Sequence, residues 1–591
     1  METSMMRLTS VSAQIVDGFL PETPESLDIP ALLAYWEENK YPLLALNHSN
    51  GLQQLQNLPE FQTARHQQEE LLSSARAEYI KVRDRWAQKG ISCILIKSAG
   101  RFPSFPYTSD NLDVLVKEEH EQVAKAILVE LGYIELKNIE ESHKFLFRKF
   151  HSGRCVSAIH LHTWVGWDAC FLDDAPIWQN SLISYDDEAV RVPSPEDVIL
   201  ITIAHGFYEN KQFRLGDIVK ICECWREGEI DWAYMENAAS QRGWLDGLHL
   251  CLLICAHIEK SLWGETSIPV RNLNRWETSL KRHPMIHRYY RRITRLTPVS
   301  LPFAFSFIFS KFLYYGKILR DPQHSLREKL SEAVQTLAGG IKLKSGIRPQ
   351  PAFLVSFSGP DGSGKTEHAQ ALIRALNISD LRIKYYWNRC GTFGLTKLFS
   401  HWGKVLLRNR VQWAKPGAPD RRERLQNSLL RFLWSYLVAT DMVLAYFFKV
   451  KLPLLCGKIV ICDRYAFDAA AEMESSLDAK DRLSRLAIKL MLTLVPKPNV
   501  AYLLDLPEDV CAQRKDEDTD PDYLRRQRRV YMALADRYNL QPKRTDREFS
   551  TTADEIVHEV MVPYYENFET SLNGIFLSNP SQLNKRSRAG I

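Results

Sequence analysis

The residues best placed to do chemistry lie between positions 353 and 366. An apolar run, Phe353 to Phe357, leads through Ser358 into Gly359, Pro360, Asp361, Gly362, Ser363, Gly364, Lys365 and Thr366. Gly359 and Gly364-Lys365-Thr366 match the spacing G-x-x-x-x-G-K-[ST] of a phosphate-binding loop. Glycines let successive backbone N–H groups converge on an anion without Cβ interference. A helix starting at the end of the loop adds the positive end of its dipole. In such a loop Lys365 reaches the β- and γ-phosphates and the Thr366 hydroxyl helps to hold Mg²⁺. The stretch therefore predicts a strand, a nucleotide-cradling turn formed by Gly359, Asp361, Gly362, Ser363, Gly364, Lys365 and Thr366, and a helix running past Leu372.

The elements that must position this loop follow in alternation, as a parallel α/β sheet requires. Strands are expected at 381–387, 459–465 and 500–505, with a long apolar helix over 429–450 between the first two and a weak last strand near 540–545. Ligands of such sheets bind at the carboxyl ends of the strands, where Asp463, Arg464 and Asp505 fall. The motifs around Gly359–Thr366, around Ile459–Tyr465 and around Ala501–Lys515 together resemble the thymidylate kinase family of P-loop nucleotide kinases, over about residues 346–572. The resemblance implies ATP and Mg²⁺ as cofactors. It implies Thr366 and Asp463 at the metal, and Lys365, Asp463, Arg464 and Arg514 in phosphoryl transfer. Gly362 occupies the position that carries a loop arginine in one subgroup, so the catalytic arginine is expected from a lid after Arg514, with Arg525 or Arg526 as further candidates.

The acceptor side departs from that family. Asp441 is followed by Met442 where the family has Asp-Arg, and Ala466 to Ala470 replace its serine-containing segment. A basic insertion, 392–427, carries Lys397, Lys404, Arg408, Arg410, Lys415, Arg421, Arg422 and Arg424. A site lacking its hydrogen-bonding groups loses discrimination. The acceptor is accordingly read as a nucleoside monophosphate or a related phosphorylated or sugar substrate.

Further upstream, Leu71, Leu72, Ala75, Tyr79, Val82 and Trp86 recur at helical spacing. Strands are expected at 91–96, 112–116 and 158–162, with a helix over 123–131 between the last two. This order, with the segments 94–116, 159–164 and 197–244, resembles a nucleotidyltransferase-like family of the polymerase-β superfamily over 63–264. That family places two acids at i and i+2 on one strand, sharing a face, and a third on a neighbouring strand, to clamp metal ions. Here the positions hold Asn111, Asp113 and His160. Asn and His are poorer ligands than carboxylates for hard Mg²⁺. The site reads as degenerate, serving binding or scaffolding; an atypical site of Asp110, Asp113 and His160 is the alternative. His205 and Asp217 fall in the helical half, either as a buried hydrogen-bonded pair or as catalytic groups.

The fold class expected is α/β: a P-loop parallel-sheet kinase domain preceded by an α+β nucleotidyltransferase-like domain and a helical connector. The divisions are a leader 1–62, then 63–264, a basic and aromatic connector 265–350, the kinase-like domain 351–575 and a tail 576–591. With 591 residues, 45% hydrophobic and 25% charged, the chain can bury several cores. A formal net charge of +5 does not argue for nucleic acid as a partner. The 11 cysteines are scattered and read as reduced thiols of a cytoplasmic protein, with no secretory signal evident. Segments 301–319 and 429–450 are apolar but interrupted by charge, which disfavours a membrane span. The basic and aromatic stretch 271–319 leaves two readings, an anionic membrane surface or a solvated helix face. The rival to phosphoryl transfer is a nucleotide-gated binding or assembly protein in surface-polysaccharide or other biosynthesis, and a third reading is active nucleotidyl transfer; the oligomeric state is not readable.

Overall fold

The computed structural model describes residues 28–41, 43, 55, 58–96, 111–137, 143–166, 171–184, 190–292, 298–301, 325–327, 330, 334, 350–379, 381–388, 428–475, 481–507, 510 and 521–573. The chain is mixed α/β and divides into two compact units. The first comprises 1–149, 156–341 and 576–591; the second comprises 150–155 and 342–575. Asp110, Arg514, the basic insertion 392–427 and the aromatic run 302–319 lie outside the described residues.

In the first unit, α1 (Ile29–Glu38) and the long α2 (Pro59–Gln88) precede β1 (Cys93–Leu95) and β2 (Leu112–Val116). Next come α3 (Glu121–Glu130), β3 (Ile134–Leu136), β4 (Lys144–His151) and β5 (Arg154–His162). The strands form one sheet in the order β1-β2-β5-β4-β3. β1 and β2 are antiparallel, whereas β2 and β5 run parallel, with Asp113 opposite His160. All five residues of β2 are buried, which explains its nearly continuous apolar sequence. The structure adds β3 and β4, which lack the apolar runs used to locate strands; β4 reads Lys-Phe-Leu-Phe-Arg-Lys-Phe-His. Trp86 anchors α2 by donating its indole N–H to the Ala124 carbonyl at 3.2 Å.

After the short α4 (Asp174–Gln179) and the paired strands β6 (Leu182–Ile183) and β7 (Arg191–Val192), the first unit becomes helical. α5 (Pro195–Ala204), α6 (Leu215–Glu227), α7 (Trp232–Gln241), α8 (Leu245–Trp263), α9 (Val270–Leu280) and α10 (Pro284–Tyr290) pack around an extensive apolar core. α5 starts where Ser194 accepts a hydrogen bond from the Asp197 amide and Pro195 opens the first turn. α1 lies in the stretch expected as a leader, yet its Ile29, Leu32, Tyr35 and Trp36 belong to that same core.

The second unit holds β8 (Phe353–Ser358), α11 (Lys365–Asn377), β9 (Ile383–Trp387), α12 (Ser428–Tyr446), β10 (Ile459–Asp463) and α13 (Ala466–Ser475). It continues with α14 (Arg482–Leu494), β11 (Val500–Asp505), α15 (Pro521–Tyr538), β12 (Gln541–Arg544) and α16 (Phe549–Asn573). Its five strands are all parallel, in the order β9-β10-β8-β11-β12. The central strands β8 and β10 are buried throughout, matching their unbroken apolar character. No helix among the described residues is long and apolar enough to cross a membrane; α12 covers most of the apolar stretch 429–450.

Candidate functional site

In the second unit, β8 delivers the chain into a turn whose glycines are required by its backbone. Gly359, Gly362 and Gly364 have φ of +148°, +86° and +80°. A Cβ on Gly359 would also lie 2.4 Å from the Leu504 carbonyl oxygen. Both the backbone conformation and the close approach therefore demand glycine there. Gly364 leads directly into α11, whose first residue, Lys365, is 6% exposed. The Lys365 ammonium donates to the carbonyls of Gly359 at 2.8 Å and Pro360 at 2.7 Å. Burial holds its pKa below the ordinary lysine value, opposed by the carboxylates of Asp468, Asp361 and Asp463.

The neighbouring strand β10 brings Asp463 to the loop, because its last residue pairs with Phe357 of β8. The Thr366 hydroxyl donates to Asp463 Oδ2 at 2.6 Å, and the Tyr385 hydroxyl donates to the same oxygen at 2.8 Å. Asp463 Oδ1 is buried with no hydrogen-bond partner among the described residues. A buried carboxylate oxygen left open beside a threonine hydroxyl suits a hard divalent cation with oxygen ligands. Arg464 adopts φ of +73°, unusual for a non-glycine residue, and its guanidinium donates to Asp361. Such backbone strain costs on the order of 1–3 kcal/mol and concentrates at functional sites.

A second layer fixes the turn. Asp468 Oδ1 accepts from the Gly359 amide at 3.1 Å, and Asp468 Oδ2 accepts from the Tyr465 amide at 2.7 Å. The Tyr531 hydroxyl lies 2.9 Å from Asp468 Oδ1 and 3.1 Å from the Gly359 carbonyl. Asp505 takes two hydrogen bonds from Arg528, each 2.8 Å. A cavity of about 550 Å³ opens beside the loop, lined in part by Lys365, Thr366, His368, Arg464, Arg547 and Phe549. Thus Gly359, Asp361, Gly362, Ser363, Gly364, Lys365, Thr366, Asp463 and Arg464 share one site. Sequence reasoning missed Tyr385, Asp468, Arg528 as the partner of Asp505, and Arg547. Asp468 carried a usable signal: it is the third residue of α13, where an acid reaches back to free amides. Arg547 and Tyr385 carried none.

In the first unit, β2 and β5 bring together Asp113, His160 and His162. His162 Nε2 lies 2.8 Å and His160 Nδ1 3.3 Å from the same oxygen, Asp113 Oδ1. Burial holds the His162 pKa well below the usual imidazole value, partly offset by its hydrogen bond to Asp113. His162 was not singled out from sequence, although its i+2 spacing from His160 places both imidazoles on one face of the strand. Asn111 borders β2 just ahead of this group. The His205 ring pairs with the Asn210 amide at 3.1 Å, and Asp217 accepts from the Arg214 amide at 3.3 Å, closing the first turn of α6.

Comparison with known proteins places a match in the first unit. The model of a family described as uncharacterised nucleotidyltransferase matches residues 25–259. Those residues are similar to that family, and the match begins ahead of α1. No curated protein matches the chain. Among solved structures, thymidylate kinase from Ehrlichia chaffeensis is similar at 18% identity and a TM-score of 0.24, over 36% of this chain and 98% of that one.

Proposed function

We propose that the second unit is a P-loop kinase domain that transfers a phosphoryl group from Mg²⁺-bound ATP to a small acceptor. The observation that carries this reading is the 2.6 Å contact between Thr366, in the first turn of α11, and Asp463, the last residue of β10. Thr366 and Asp463 would hold Mg²⁺, which supplies charge neutralisation for the phosphates when bound. The glycine turn presents amides to the phosphate chain, and Lys365 exchanges its two carbonyl contacts for phosphate oxygens. Asp468 and Tyr531 keep the turn in shape. Arg464, held by Asp361 across the loop, is placed to contact a transferring phosphoryl group. Phosphoryl transfer relies on positioning and charge, so these groups meet its main requirements.

The acceptor proposed is a nucleoside monophosphate or a related phosphorylated or sugar substrate. Met442 is buried, and Asn388 donates towards its sulfur at 3.5 Å and to the Tyr446 hydroxyl at 3.0 Å. This apolar neighbour in place of an arginine weighs against a nucleobase fixed there by a charged fork. Arg514 remains the proposed lid arginine. The test is ATP turnover measured across panels of nucleoside monophosphates and sugar phosphates, with products identified by mass spectrometry. Turnover that disappears in Lys365→Ala supports the reading; no Lys365-dependent product from any acceptor overturns it.

The family match favours a second reading, nucleotidyl transfer by residues 25–259. Its requirement is incorporation of labelled nucleotide that is lost in Asp113→Ala.

A further inference from the structure

The Asp113, His160 and His162 group takes no part in the phosphoryl-transfer reading, yet it is the most concentrated set of metal-ligating side chains among the described residues. Parallel pairing sets Asp113 opposite His160. The alternation of β5 then turns His162 to the same side as His160. One ligand atom from each of the three lies within 4.8 Å of the others. Two of those separations are 2.8 Å and 3.3 Å. Ligands about 2.0–2.2 Å from a tetrahedral ion stand roughly 3.3 Å from one another. Each imidazole nitrogen already stands near that spacing from Asp113, and the imidazoles, within 4.8 Å of one another, would draw together to close onto an ion.

Asp113 Oδ1 faces one nitrogen of each imidazole. The second nitrogen of each, His160 Nε2 and His162 Nδ1, is buried with no hydrogen-bond partner among the described residues. His162 is only 1% exposed. Those nitrogens point away from Asp113, so an ion beside Asp113 would be held through His160 Nδ1 and His162 Nε2. Donor chemistry then selects the ion. Imidazole suits zinc, cobalt and nickel, whereas magnesium asks for oxygen ligands in near-octahedral array.

We propose that Asp113, His160 and His162 bind one divalent transition-metal ion of the zinc class in preference to magnesium. Three protein ligands leave a fourth coordination position for water or an oxygen of another molecule.

The test uses the full-length protein, stripped with a chelator and titrated with Co²⁺ in millimolar Mg²⁺. The expected result is one Co²⁺ per chain, with visible d–d absorption and no thiolate charge-transfer band, displaced by Zn²⁺ and not by Mg²⁺. His160→Ala should weaken Co²⁺ binding by more than the roughly 10–100-fold that loss of an outer-shell partner costs. His160→Asp, which exchanges an imidazole for a carboxylate, should move the preference from Zn²⁺ towards Mg²⁺ by at least about tenfold. Circular dichroism checks that each variant is folded; should His160→Ala not fold, His160→Asp alone decides. Sub-stoichiometric uptake by folded wild-type protein, Mg²⁺ displacing Co²⁺ from it, or uptake unchanged in the folded His160 variants would overturn the proposal.

Discussion

The two units hold their candidate sites in opposite ways. In the second unit, backbone amides, a hydroxyl and a carboxylate gather around one continuous turn, with Thr366 and Asp463 offering oxygen alone. In the first, two imidazoles and one carboxylate meet across two strands, Asp113 on one and His160 and His162 on the other. Oxygen donors suit magnesium and nucleotide phosphates, and imidazoles suit a borderline transition ion. On the two proposals, one chain would present two sites with different appetites for cations, and a change that abolishes one should leave the other intact.

The largest expected effect is on turnover. Lys365→Ala should lower ATP-dependent product formation by about 10²–10³-fold, the scale seen when one pre-organised electrostatic group is removed from an active site. The same variant should take up Co²⁺ like the wild type. A parallel loss of Co²⁺ uptake in folded Lys365→Ala would break the separation of the two sites.

Gly359→Ala comes next. Its φ of +148° and the 2.4 Å approach of a Cβ to the Leu504 carbonyl leave no relaxed position for a methyl group. A destabilisation of about 2–3 kcal/mol is expected by urea unfolding, together with weakened nucleotide binding. Unchanged stability would show that the turn can shift away from β11. Asp468→Asn should cost about 1–3 kcal/mol, since one carboxylate serves the Gly359 amide, the Tyr465 amide and the Tyr531 hydroxyl. Its effect on Km for ATP, measured beside stability, tells whether Asp468 supports the turn or merely the start of α13.

The smallest effect concerns pH. Burial holds His368 below the ordinary imidazole value of 6.5, offset by its hydrogen bond to the Gly364 carbonyl. Because the folded pKa is depressed, the unfolded chain takes up the proton first. Stability contributed by neutral His368 is thus present above pH 6.5 and declines as pH falls below it. Urea midpoints measured between about pH 7 and 5 should fall less steeply in His368→Gln than in the wild type. Equal slopes would remove His368 as a source of acid sensitivity beside the loop.

Much of the second unit was legible because its information is local. A glycine turn with Lys365 and Thr366 states its own geometry, and buried parallel strands announce themselves as apolar runs. Asp468 is readable as an acid in the first turn of a helix, where it can reach back to a free amide. β3 alternates but is only three residues long, and the charged residues of β4 interrupt its period-2 pattern. Arg528 was one of four arginines within five positions, and nothing local marks which of them meets Asp505.

From the chain alone came the contiguous chemistry: Gly359 to Thr366, the strand-end pair Asp463 and Arg464, and Asp113 with Asn111 in place of the acid two positions earlier. Spacing and residue type suffice there because the backbone conformation is set within a few positions. Tertiary structure alone decided what meets across distance. It tied Asp468 and Tyr531 to the turn, set Asp463 in direct contact with the Thr366 hydroxyl, and added His162 to Asp113 and His160. Those meetings depend on strand register, and register is set by the burial of whole strand faces rather than by any residue that takes part in the site.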